Sequence, residues 1–167
     1  RVLADALIEI RYDESGAQHM LLNGTDVTEY LRTPEISDAA SKVAALPEVR
    51  EFLLQMQRDT AKAHNVVMDG RDIGTKVLPE AEVKIYLTAS VHTRALRRYQ
   101  ELKEKGIDCQ LSEIEKDIED RDYRDMNRPV SPLRQAEDAV LVDSSEMTIP
   151  QVLDKILEIC KEKVKVG

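Results

Sequence analysis

Three short apolar runs constrain this chain more than any other feature: Val66-Val67-Met68, Val83-Lys84-Ile85-Tyr86-Leu87 and Ala139-Val140-Leu141-Val142. Runs this brief and nearly continuous read as strands covered on both faces, the pattern of a parallel sheet. Parallel strands need crossover helices, and the segments between and after the runs supply them. Ser90 is placed to cap a helix carrying Leu96, Tyr99 and Leu102 and ending at Gly106. Ser112-Glu113-Ile114-Glu115 has the capping-box form, predicting a helix that stops before Pro129. Thr148-Ile149-Pro150-Gln151 opens a last helix with Ile149, Val152, Leu153, Ile156 and Cys160 on one face. Strands alternating with helices predict an α/β fold whose ligand site lies at the carboxyl ends of the strands.

The first third follows a different rule. Residues 7–12 and 18–22 flank the turn-rich Asp13-Glu14-Ser15-Gly16, predicting a β-hairpin. Thr33-Pro34 opens a short helix, Leu46-Pro47 interrupts it, and Val49, Phe52, Leu53 and Met56 give the apolar stripe of a second helix. The chain begins without Met, inside what reads as a helix end. Its 167 residues fit one domain with a small insert, and no repeat or independent linker interrupts them. The 24 basic against 32 acidic residues make a poor general binder of nucleic acid, so any anionic ligand must meet a local basic cluster. With no bilayer-length apolar run and no signal-peptide pattern at its start, the expected partners exclude membranes and the expected compartment is the cytoplasm. Cys109 and Cys160 lie far apart with no ligand spacing around them, so neither a disulfide framework nor a structural zinc site is expected.

Two clusters carry candidate chemistry. The run Val66-Val67-Met68-Asp69-Gly70-Arg71-Asp72-Ile73-Gly74-Thr75 delivers Asp69, Arg71 and Asp72 to the end of an expected strand. Taken alone, it is equally a turn decorated by an ion pair. Arg94, Arg97 and Arg98 crowd one helix; on the next, Arg121, Asp125 and Arg128 fall at i, i+4, i+7 with Arg124 beside them. Glu119, Asp120, Asp122 and Asp125 interleave, so a solvated, salt-bridged helix is the better reading of that stretch by itself. The choice of Arg in an acidic chain shifts the balance, because the guanidinium suits planar, bidentate contact with phosphate oxygens. From Leu31 to Arg50, spacing alone reveals only helix, proline break and helix.

The stretch from Arg32 to Arg50, the Asp69-Gly70-Arg71-Asp72-Ile73-Gly74-Thr75 loop, and Arg121-Asp122-Tyr123-Arg124-Asp125-Met126-Asn127-Arg128 with Pro132-Leu133 closely resemble bacterial-type cytidylate kinase. The similarity continues in order through Asp143-Ser144-Ser145 and the final helix. The resemblance implies a P-loop NTPase-type parallel sheet flanked by helices, with a small antiparallel β insert and a helical lid. Residues 1–63 would be the C-terminal part of a CMP-binding insert, 64–167 the core, and about 91–134 the lid region. It further implies transfer of the γ-phosphate of ATP to CMP or dCMP, with Mg2+ accompanying ATP; a monomer is expected.

By the same resemblance, Ser41, Arg50 and Asp72 contact the cytosine. A carboxylate accepts from the N4 amino group and Arg donates to O2 and N3, so uracil would be rejected. Arg121 and Asp125 would reach the sugar, and Arg71 and Arg128 the CMP phosphate. Arg94 and Arg98 would stand at the lid base as ATP-binding residues. Arg124 would face the transferring phosphoryl group, with Arg128 beside it in the catalytic set, and Asp69 would hold the Mg2+ shell directly or through water.

One departure is large. No G-x-x-x-x-G-K-[ST] loop is present: Gly16, Gly24, Gly70, Gly74, Gly106 and Gly167 include none followed by Lys. The expectation is therefore a portion of a longer kinase, incomplete at the N-terminus by a strand-loop-helix unit of at least ~30 residues. A naturally short paralogue is the minor alternative to that portion. In function, a CMP-binding module without catalysis is the alternative. An RNA-binding helical protein fits poorly with the acidic charge and the 4% aromatic content.

Overall fold

The computed structural model describes residues 5–43 and 46–164, and within them all side chains except those of Arg32, Pro34, Ser37, Asp38 and Ser41. The helix end expected at the start of the chain falls on residues 1–4, outside the described residues. The chain divides into two compact units, Arg1–Asn65 and Val66–Gly167.

In the first unit, β1 (Ile8–Tyr12) and β2 (Gln18–Leu22) pair antiparallel, Ile8 opposite Leu22 and Arg11 opposite His19. The hairpin loop forms where expected because Asp13 Oδ1 accepts from the Ser15 and Ala17 amides at 2.8 and 2.9 Å. A third strand, β3 (Thr25–Asp26), extends the sheet after Asn23-Gly24, whose φ values of 51° and 79° are those of a tight hairpin turn. That Asn-Gly signal stands in the sequence, yet β3 is absent from the sequence-based expectation. His19 ties the three strands together: Nδ1 lies 2.7 Å from Asp26 Oδ2, and Nε2 lies 3.3 Å from Asp13 Oδ2. After a 3-10 turn, helix α1 (Pro34–Val43) begins with the Ile36 amide donating to Thr33 Oγ1. Helix α2 (Pro47–Ala63) starts on its proline, which lacks the amide that a first helical turn leaves unpaired.

The second unit is α/β. Strands β4 (Ile85–Thr88) and β5 (Val140–Asp143) pair parallel, in register from Ile85 opposite Val140 to Thr88 opposite Asp143. Helices α3 (Val91–Glu104) and α4 (Leu111–Asn127) lie between them in sequence, and α5 (Ile149–Lys163) follows. Val77, Ala89, Ala95, Val142 and Ile159 are the buried apolar residues. Three helix signals hold: Ser90 accepts from the Thr93 amide, Gly106 takes φ 71° after α3, and Thr148 with Gln151 forms a capping box.

Two expectations are corrected. Val66-Val67-Met68 is not a strand, and Val67 is fully exposed. A strand exists only through hydrogen bonds to a neighbour, and no described strand lies beside this run. Ser112 does not cap α4. The helix begins two residues earlier than that cap would set, with extended Gln110 as N-cap and the Ile114 amide already donating to the Gln110 carbonyl.

Candidate functional site

The loop after Met68 is shaped by one wide turn. The Val77 amide donates to the Asp72 carbonyl at 3.2 Å and the Leu78 amide to the Ile73 carbonyl at 2.8 Å, a π-type spacing over Ile73–Val77. Such turns carry an extra residue, which re-aims neighbouring side chains, and they recur at functional sites. Gly70 is required by close approach, since a Cβ there would stand 2.9 Å from Ile73 Cγ1. The stem of Lys84 would contact a Cβ at Gly74 at 3.4 Å. Its ammonium, on a side chain only 8% exposed, bonds the Pro79 carbonyl and lies 2.7 Å from Asp138. This pair holds the Asp138 carboxyl below its usual range and fixes the turn from behind. Asp72 is buried at the head of the turn, while Asp69 and Arg71 are exposed.

Arg71 reaches across to α4, where its Nε donates to Asp125 Oδ2 at 3.1 Å. Asp125 is 8% exposed, and its other oxygen stands 4.0 Å from the Arg128 guanidinium. A single carboxylate thus serves two guanidinium groups. Among the described residues no protein partner engages the terminal nitrogens of Arg71, and two neighbouring cations held this way suit a dianion. Arg128 ends α4, adopting φ −64° and ψ 142°, and its Nε donates to the Ser131 carbonyl at 2.6 Å. The Leu133 amide returns to the Asp125 carbonyl at 2.8 Å, closing the segment 128–133 onto the helix end.

The α3 arginines are bound to protein groups. Arg94 makes a bidentate pair with Asp122 at 3.1 and 2.6 Å while its Nε donates to the Ala89 carbonyl. Arg97 donates to the Ser144 hydroxyl and to the carbonyls of Ser144 and Met147. Arg98 pairs with Glu101 at 2.8 Å; with Lys105 as the larger influence, the two cations lower the Glu101 pKa to about 2. At the carboxyl ends of the strands, the Ser144 amide and hydroxyl both donate to the Thr88 carbonyl, and the Ser90 amide donates to Ser145 Oγ. The Ser145 hydroxyl, bonded to Asp143, holds that carboxyl below its ordinary range.

The structure thus brings Arg71, Asp125 and Arg128 into one neighbourhood, with Asp72 next to Arg71 in the chain, and joins Arg94 to α4 through Asp122. Arg121 and Arg124 are exposed on α4; Arg124 donates Nε to its own helix at the Asp120 carbonyl, and Arg121 has no partner among the described residues. Arg98 is exposed on α3. Arg50 is half-buried on α2 in the other unit, and the Ser41 side chain lies outside the described residues. Asp122, Lys84 and Ser131 are absent from the sequence-based site. Asp122 stands in the sequence as one more interleaved acid, Lys84 interrupts an apolar run, and Ser131 is marked only by the proline after it. Among the described residues no group of three His, Cys, Asp or Glu is arranged to hold a metal ion, and no helix is long and apolar enough to cross a membrane.

Comparison with known proteins gives one consistent answer. A family model described as cytidylate kinase matches residues 3–162. The cytidylate kinase of Lactobacillus johnsonii is 51% identical over 152 residues, 91% of this chain and 66% of that protein. That of Caldicellulosiruptor saccharolyticus is 52% identical over 145 residues, 87% of this chain and 64% of its own length. For Carboxydothermus hydrogenoformans the figures are 50% over 163 residues, 98% and 73%. The chain spans about two thirds of the length of the relatives it matches.

Proposed function

The chain belongs to the cytidylate kinase family, and from that premise we propose that the protein transfers the γ-phosphate of ATP to CMP or dCMP, giving CDP or dCDP and ADP. The observation that carries this reading is the buried Asp125 carboxylate between Arg71 and Arg128, with the terminal nitrogens of Arg71 open to a ligand. In the proposed roles, Arg71 and Arg128 bind the phosphate of the acceptor nucleotide, and Asp125 orients both while reaching the sugar together with Arg121. Ser41, Arg50 and Asp72 read the cytosine. Asp72 is buried at its turn, so it meets the base with little competition from water, and an N4 amino group is the donor its carboxylate accepts. Arg124 stabilises charge on the transferring phosphoryl group, and Arg94 and Arg98 serve the ATP side of a lid spanning about 91–134. Residues 1–63 form the acceptor-binding insert and 64–167 the core.

Phosphoryl transfer asks little covalent chemistry of these groups; they position the acceptor and balance developing charge. Mg2+ bound with ATP neutralises phosphate charge. Such an ion keeps most of its shell as water and phosphate oxygens, which fits a loop offering one exposed carboxylate, Asp69, and no acidic cage among the described residues. We place the enzyme in the cytoplasm as a monomer. A coupled ADP-release assay tests the reading: CMP and dCMP turn over well ahead of UMP and AMP, and Asp72→Asn narrows the gap between CMP and UMP. Equal use of UMP and CMP by the unaltered protein sinks the cytosine assignment, and CMP binding without turnover in calorimetry sinks the kinase assignment.

A further inference from the structure

We propose that Ser131 is a positioning residue for Arg128, acting through its backbone carbonyl rather than its hydroxyl. Two non-glycine residues among those described have positive φ, Asn23 at 51° and Ser131 at 49°. Asn23 is the first residue of an Asn-Gly hairpin turn, a place where asparagine is ordinarily left-handed. Ser131 has no such reason. It precedes Pro132, whose ring pushes the residue before it toward extended backbone at negative φ. A left-handed serine at that position is strained, and such strain persists only where surrounding contacts impose it.

Two contacts impose it here. The Ser131 carbonyl accepts from Arg128 Nε at 2.6 Å, and the Leu133 amide donates to the Asp125 carbonyl at 2.8 Å. Together they fold 128–133 back onto the end of α4, where Asp125 already holds Arg71. The Ser131 hydroxyl has no hydrogen-bond partner among the described residues, so the side chain is not what the turn uses. A short charge-assisted bond at Nε removes rotamer freedom from Arg128 and leaves its terminal nitrogens for a ligand. The strain at 131 therefore preorganises one of the two guanidinium groups beside Asp125. This inference rests on the reading of Arg128 as a ligand of the acceptor phosphate.

The test uses the full-length protein with Ser131→Gly, Ser131→Asn, Ser131→Ala, Ser131→Val and Arg128→Ala, measuring KM for CMP, kcat, and water exchange of the Arg128 Nε–H by NMR. Gly and Asn tolerate positive φ and keep KM within about twofold of the parent. Val resists it, so KM for CMP rises about two- to tenfold with little change in kcat, and the Nε–H loses its protection. Ala shows the same effects at smaller amplitude and carries the test if the Val variant does not fold. Parent-like KM and a protected Nε–H in both Val and Ala variants overturn the proposal, as does a Gly variant as impaired as Val. Arg128→Ala separates the two readings: unchanged KM there overturns the phosphate role, whereas raised KM there with parent-like Val and Ala variants overturns only the role of Ser131.

Discussion

Helix α3 carries three arginines, α4 carries two with a third just past its end, and the two groups find different partners. On α3, Arg94 and Arg97 direct their donors to Asp122, Ala89, Ser144 and Met147, stitching the helix to α4 and to the strand ends. On α4 and at its end, Arg121 meets no partner among the described residues, Arg124 bonds only its own helix, and Arg128 is held by one nitrogen and a distant carboxylate. Arg94 and Arg97 tie separate elements together, whereas among the described residues Arg121 has no partner and the terminal nitrogens of Arg128 make no hydrogen bond. Arginine content is the same signal in both, so what separates them is the acceptor each guanidinium finds.

The most severe way to test that division is Asp125→Ala. Truncating a buried member of a charged pair typically costs about 2–5 kcal/mol. With each ~1.4 kcal/mol worth tenfold in rate, kcat/KM for CMP should fall about 30-fold or more; a loss below tenfold would mean that this carboxylate does not organise the two arginines. Next in size is the α3 scaffold. Arg94 and Asp122 are half-buried and bidentate, so a double-mutant cycle on Arg94→Ala and Asp122→Ala should return a coupling of about 1 kcal/mol in thermal unfolding. Purely additive melting shifts would remove the Arg94–Asp122 pair from the scaffold, and an unchanged KM for ATP in Arg94→Ala would remove its proposed ATP-side role. Smaller again is Arg98→Ala, whose exposed pair with Glu101 leaves Tm unchanged. A raised KM for ATP in that variant supports its proposed lid role, and an unchanged one removes it.

The smallest effect lies in the first unit, where the His19 clasp is the exposed counterpart of the Asp125 site. Asp26 foremost and Asp13 after it raise the His19 pKa above 6.5 against a smaller opposing effect of desolvation; Arg11, directly opposite on β1, is itself paired with Glu9. A raised histidine pKa contributes stability that is full below 6.5 and is lost as pH rises through the folded value. Asp13 and Asp26 behave oppositely. The Ser15 and Thr28 hydroxyls are the largest influences taking them from 3.8 to about 2, so their contribution is present above 3.8 and fades as pH falls toward 2. NMR titration of the imidazole should give a midpoint above 6.5, and His19→Gln should flatten the alkaline side of the stability profile. A midpoint at or below 6.5 would remove the clasp from the account.

Much of this was legible where the cause is local. The Asp13 loop, the caps at Ser90 and Thr148, and the ends at Gly106 and before Pro129 each depend on a few consecutive residues. Val66-Val67-Met68 failed as a strand because an apolar run states a capacity for pairing, and the partner is a property of the fold. Ser112 failed as a cap because a capping-box pattern fits any register that begins nearby, and the helix took the turn starting at Gln110. For the proposed site, the sequence offered residues but not their arrangement. Spacing placed Arg121, Asp125 and Arg128 on one helical face, yet Asp125 is buried, Arg121 exposed, and Arg128 lies past the last helical residue.

By itself, the sequence determined the α/β class of the second unit, the hairpin of the first, and the family. These follow from periodicity, local capping chemistry and ordered motifs, all of which act along the chain. Only the tertiary structure decided which carboxylate each arginine answers to: Asp122 holds Arg94 across 28 residues and Asp125 holds Arg71 across 54. Charge attraction depends on distance and burial, and neither is set until helix, loop and strand have met.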